Sequence, residues 1–116
     1  MSDRSYLDFL EDILRGIEAV ETYLEGMSYE EFEDDQKTID AVVRNFEIIG
    51  EAANNLPESV RTRHGDLEWR GVIKFRNVMI HDYFQVDTRR IWDTYQQNLP
   101  MLKNQIRRIM EQEKDD

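Results

Sequence analysis

Apolar residues recur at three- and four-residue steps along almost the whole chain, and that period leaves little room for anything but α-helices. Tyr6, Leu7, Leu10, Ile13, Leu14, Ile17, Val20, Leu24 and Met27 draw one stripe down a first helix whose other face is filled with Asp and Glu. A second stripe of Ile39, Val42, Val43, Phe46, Ile49 and Ala53 predicts a helix from Asp35 to Asn55, ended by Asn54, Asn55 and Pro57. Gly50 inside it costs roughly 1 kcal/mol against alanine, a loss that is reasonable where another helix has to come close. A third helix is expected to begin near Leu67 and to carry Trp69, Val72, Ile73, Met79 and Ile80. Asp87 suits the N-cap of a fourth, with Ile91, Tyr95, Leu102, Ile106 and Ile109 facing inward. Pro100 should kink or interrupt that helix, because its ring displaces the carbonyl four residues earlier.

Shorter signals fill the gaps. Ser28 and Glu31 have capping-box spacing and open a turn through Phe32. PESVRTRHG reads as a short helix started by Pro57 and stopped by Gly65. With no repeat, no Gly-rich phosphate loop and no alternating strand pattern, the expectation is all-α: one domain over residues 1–116, an up-and-down bundle of four main helices plus short helical turns. Residues 111–116, EQEKDD, are expected to fray.

Composition excludes several classes. No apolar run approaches the ~18 to 20 residues of a membrane span, and the acidic N-terminus is not a secretory signal. Without cysteine there is neither a disulfide framework nor a thiolate metal site, which fits a reducing cytoplasm. The net charge of −10 argues against nucleic acid until its distribution is considered. Residues 1–60 hold 16 acids and 4 bases, whereas residues 61–90 hold 7 bases and 4 acids.

That basic segment contains RNVMIHDY, residues 76 to 83. An imidazole with an ordinary pKa near ~6.5 can take and return protons at neutral pH. A guanidinium offers a fixed fork of donors to phosphate oxygens. In RNA the 2′-hydroxyl is a built-in nucleophile, so cleavage needs no metal. On a regular helix Arg76 and His81 stand about 140° apart. Their convergence would need a looser helix near His81 or a second copy of the chain. Residue types alone leave a structural cluster open, with Arg76 paired to Asp82 or Glu51, His81 satisfied in the interior and Tyr83 in the core.

R-x-x-x-x-H-x-Y, filled by Arg76, His81 and Tyr83, resembles the motif of HEPN-domain ribonucleases, with the polar Asn77 following the arginine. YLDFLEDIL at 6–14, IGEAANNLP at 49–57, the stretch from Trp69 to Phe84, and VDTRRIWD at 86–93 together resemble the HepT toxin family over nearly the whole chain. The resemblance implies a HEPN-like helical homodimer with the arginines and histidines of both subunits in an interface cleft. It also implies a metal-independent RNA endonuclease with no cofactor, paired with an MntA-like minimal nucleotidyltransferase antitoxin that transfers AMP to Tyr83. His81 would be the general acid or base, and Arg76 would bind the scissile phosphate. Asn77 would orient substrate or histidine, and Asp82 would bias the histidine's protonation.

Arg61, Arg63, Arg70 and Lys74 could extend a phosphate track toward the cleft. His64 is expected at the surface, Glu51 either exposed or paired with a cleft arginine, and Trp69 and Trp92 in the core or at a dimer contact. A second reading remains: a non-catalytic helical module that engages a nucleotidyltransferase through its acidic surface.

Overall fold

In a computed structural model, which describes residues 5–77 and 86–114, the two long stripes become the two longest helices. They are α1 (Tyr6–Leu24) and α3 (Gln36–Asn55), which pack along each other. Between them lies α2 (Tyr29–Glu33), opened by the predicted capping box: Ser28 Oγ accepts from the Glu31 N–H at 3.1 Å, and Glu31 accepts from the Ser28 N–H at 2.9 Å. Asp35 caps α3 through the N–H of Thr38. Then follow α4 (Glu58–Arg63), α5 (Trp69–Ile73), a 3-10 turn over Lys74–Arg76, α6 (Thr88–Gln97) and α7 (Leu99–Lys114). All the regular elements of two or more residues among the described residues are helical, as the periodicity predicts. None of these helices is long and apolar enough to cross a membrane.

The core is where the stripes meet. Leu10, Ile13, Ile17 and Val20 of α1, Val42, Phe46 and Ile49 of α3, Ile91 of α6 and Ile106 of α7 are fully buried. Each contributes on the order of 1.5 to 3 kcal/mol on leaving water. The surface ion pairs that also link α1 to α7, Lys103–Glu21 and Arg107–Glu18, add at most about 1 kcal/mol apiece. Burial therefore outweighs these two ion pairs in holding α1 and α7 together.

Two expectations need correction, and a third is met. The third helix is α-helical only from Trp69 to Ile73; it tightens into the 3-10 turn and leaves helical geometry at Asn77, with φ −127° and ψ −17°. The fourth is interrupted near Pro100, as expected: the break falls at Asn98, between α6 and α7. Pro100 then sits in the first turn of α7, where its missing N–H has no helical partner to lose. And α7 continues to Lys114 with Glu113 buried, in the stretch expected to fray. Met79 and Ile80, assigned to the third helix, lie outside the described residues.

The start of α6 is pinned. Asp87 caps it through the Arg90 N–H at 3.0 Å, and Thr88 Oγ1 lies 3.0 Å from the Tyr29 hydroxyl of α2. The Arg89 guanidinium sits 4.6 Å above the Tyr29 ring, while Trp92 meets Tyr29, Phe32 and Tyr95. The described residues that flank 78–85 are thus the 3-10 turn with Asn77 on one side and the clamped start of α6 on the other.

Candidate active site

Gly50 decides where Arg76 can stand. A Cβ at that position would lie 2.7 Å from the Arg76 amide nitrogen, 2.8 Å from its Cγ and 2.9 Å from the Ile73 carbonyl oxygen. A Cβ carbon does not come that close to backbone atoms, so the 3-10 turn rests on α3 in this way because residue 50 is glycine. One turn earlier on α3, the rings of Phe46 and Phe75 meet in a T-shaped contact at 5.1 Å and 74°. These two contacts fix the base of the Arg76 side chain. Its tip is fixed by Glu51, whose Oε1 accepts from Arg76 Nη1 at 3.2 Å.

The pair is open to solvent, with 38% of the arginine side chain and 58% of the glutamate side chain exposed. It faces a groove of about 620 Å³ between α1 and α3. Phe9 and Asp12 form one wall; Arg44, Glu47, Ile48, Glu51, Ala52 and Asn55, all on one side of α3, form the floor; Arg76 and Asn77 close the end. Arg44 is turned toward Glu47 at 3.6 Å. Chemically the groove offers a half-exposed guanidinium beside an amide. Among the described residues the guanidinium is bonded to one carboxylate, and an arginine fork carries further N–H donors suited to an anion.

The chain's similarity to known proteins places it in a family. A family model described as "Ribonuclease HepT-like" matches residues 13–109. The chain belongs to the HepT-like ribonuclease family. It is 40% identical over 106 residues to "Probable ribonuclease HepT" of Thermococcus cleftensis, covering 91% of this chain and 96% of the relative. It is 39% identical to a "Putative RNase" of Caldanaerobacter subterraneus subsp. tengcongensis, over 91% and 95% of the two chains. A "Putative RNase" of Methanocaldococcus jannaschii is 37% identical over 92% of this chain and 86% of its own length. No solved structure matches.

In this HepT-like chain, Arg76 and Asn77 both line the groove, and of the alternatives left open for Glu51, exposed or paired with an arginine, the pair with Arg76 forms. His81, Asp82 and Tyr83 lie outside the described residues. The 140° separation of Arg76 and His81 presumed a regular helix, which the 3-10 turn and Asn77 do not continue. Arg70 is exposed on α5, and Lys74 opens on a different hollow, formed with Phe75, Arg90 and Met101. Arg61 carries a buried Nε without a hydrogen-bond partner among the described residues. Trp69 and Trp92 are buried in the core. Sequence reasoning missed Arg44, Glu47 and Asn55 as groove residues, although with Glu51 they form a polar line at helical spacing along α3.

His64 is a correction. It is buried at the end of α4, its Nε2 lies 2.6 Å from Glu113 Oε2, and its carbonyl accepts from the Trp69 indole N–H at 3.0 Å. Arg63 completes the cluster, donating from Nε at 3.2 Å and Nη2 at 2.8 Å to the same carboxylate. Arg63's hydrogen bonds hold the Glu113 carboxyl down to about 2 against the opposing effect of burial, with help from His64 and Tyr6. An ionised carboxylate can only accept, so the proton of this contact resides on His64 Nε2. The cluster ties α4 to α7, and neither Arg63 nor His64 lines the groove.

Proposed function

We propose that this HepT-like chain is a metal-independent endoribonuclease that acts as a homodimer through Arg76 and His81. The observation that carries the reading is the half-exposed Arg76 guanidinium held at the end of an open groove, in a chain of the HepT-like ribonuclease family. In the reaction, the 2′-hydroxyl of RNA attacks the adjacent phosphorus. A P–O2′ bond forms, the P–O5′ bond breaks, and the 5′-oxygen leaves with a proton. His81 serves as the proton carrier, a role worth ~10² to 10⁴ in rate. Arg76 neutralises charge on the non-bridging oxygens, at a similar scale for one well-aimed donor. Asn77, beside Arg76, orients substrate or imidazole; Asp82 biases the histidine's protonation. Arg70 and Lys74 are candidates for phosphates further along the strand.

The same reading makes this chain a toxin in a cytoplasmic toxin–antitoxin pair. Its regulator is an MntA-like nucleotidyltransferase that places AMP on Tyr83. Added phosphate and a nucleoside two residues from His81 oppose RNA by charge and by bulk. The acidic first half of the chain favours a second reading, a non-catalytic module that binds a basic nucleotidyltransferase surface.

One experiment separates them. The chain is expressed alone and assayed for RNA cleavage in EDTA beside Arg76→Ala and His81→Ala. Cleavage by the parent that drops at least a hundredfold in both variants is the expected result. Background activity of all three, with partner binding intact, would establish the binding module instead. Co-expression with the nucleotidyltransferase should add AMP to Tyr83 by mass spectrometry, and full silencing of Tyr83→Phe would refute that mode of control.

A further inference from the structure

We infer that Glu51 is a positioning residue for RNA cleavage: it holds the Arg76 guanidinium in the direction that phosphate binding requires. The inference rests on the reading of Arg76 as the phosphate-binding group. Arginine has a long stem, and an exposed one is spread over many rotamers in solution. Here the near end is fixed where Gly50 admits the Arg76 backbone and Cγ, and the far end by the 3.2 Å bond from Nη1 to Glu51 Oε1. Gly50 and Glu51 are consecutive on α3, so one stretch of rigid helix defines both ends of the side chain.

The strength of the bond matters less than its direction. An ion pair this exposed contributes little to folding. It takes one N–H of the guanidinium, and among the described residues the remainder of the fork has no other partner and suits phosphate oxygens. Arg44, the other guanidinium on the groove floor, faces Glu47 at 3.6 Å and is not directed to Glu51. A carboxylate beside a phosphate site also repels substrate, so positioning is gained at some loss of affinity. Acceptor and charge are separable: glutamine keeps the acceptor oxygen and removes the charge, whereas alanine removes both.

Steady-state cleavage of a short RNA at pH 7 tests this in the full chain, with parent, Glu51→Gln, Glu51→Ala and Arg76→Ala compared. Glu51→Ala should lower kcat about tenfold, the scale of releasing one long side chain from a fixed rotamer. Glu51→Gln should restore kcat to within about threefold of the parent and lower KM, because the repelling charge is gone. Melting temperatures of both Glu51 variants should stay near the parent's, since the residue is exposed. An unchanged kcat in Glu51→Ala overturns the inference. So does a Glu51→Gln variant as poor as Glu51→Ala, or one whose pH–rate profile loses a limb, since Glu51 would then be carrying a proton. Full activity in Arg76→Ala would instead sink the underlying reading of Arg76, an outcome distinct from either.

Discussion

Replacing Glu113 by alanine tests whether the C-terminal helix is a structural member or a loose end. Its side chain is 2% exposed, and it receives Arg63 and His64 at 2.8 and 2.6 Å. The carboxyl is held down to about 2 from an ordinary 4.5. At 1.36 kcal/mol per pK unit this corresponds to about 3 kcal/mol of stability for the ionised form. Arg63 is half exposed and can regain water once its partner is gone, so about 2 to 3 kcal/mol is the expected loss at pH 7. With an unfolding entropy of ~2.1 cal/mol/K per residue, that lowers Tm by about 10 °C. Because the folded-state pKa lies below the unfolded one, the contribution is complete above about pH 4.5 and disappears as the pH falls toward 2. Thermal melts followed by circular dichroism at fixed protein concentration, from pH 7 to pH 2, should therefore show parent and Glu113→Ala converging in acid. A Tm difference below about 2 °C at pH 7, or one that stays constant down to pH 2, would refute this account.

Two further perturbations follow from the local geometry. Gly50→Ala forces a methyl against the Arg76 backbone and the Ile73 carbonyl, so it should cost about 1 to 3 kcal/mol in urea unfolding and lower RNA cleavage along with stability. Equal activity at equal folded fraction would show that Arg76 tolerates the shift. Ser28→Ala removes half of the capping box of α2 and should cost about 1 kcal/mol, or roughly 4 °C in Tm, with cleavage unaffected.

Local chemistry was legible in the sequence wherever a signal spans a few residues. The capping box at Ser28 and Glu31, the Asp87 cap and the interruption near Pro100 all depend on near neighbours, and each is present; the close approach at Gly50 is also present, signalled by a glycine inside a helix. The Arg76–Glu51 pair could be named as an option because both residues fall on helices expected to pack. What failed has one of two causes. Between Leu67 and Asn77, the apolar spacing cannot distinguish 3.6 residues per turn from 3.0 over so short a run, and tertiary contact at Gly50 decides the outcome. The His64–Glu113 contact joins residues 49 positions apart, and no periodicity encodes which polar groups of two distant helices will meet. His64 beside Gly65 therefore looked superficial, and EQEKDD looked like a solvated tail.

The two faces of α3 have an implication for how this protein can change. Ile49 fills the hollow that Gly16 leaves on α1, where even a methyl would come within 2.7 Å of its Cγ1, while the next two residues hold Arg76. Enlarging residue 16 would push on Ile49 and tilt the neighbouring glycine and glutamate with it. A search for sturdier variants that treats the α1–α3 seam as inert filler would thus trade the placement of Arg76 for compactness, and, if the proposed role of Arg76 holds, mutational tolerance at position 16 should track function as closely as it tracks folding.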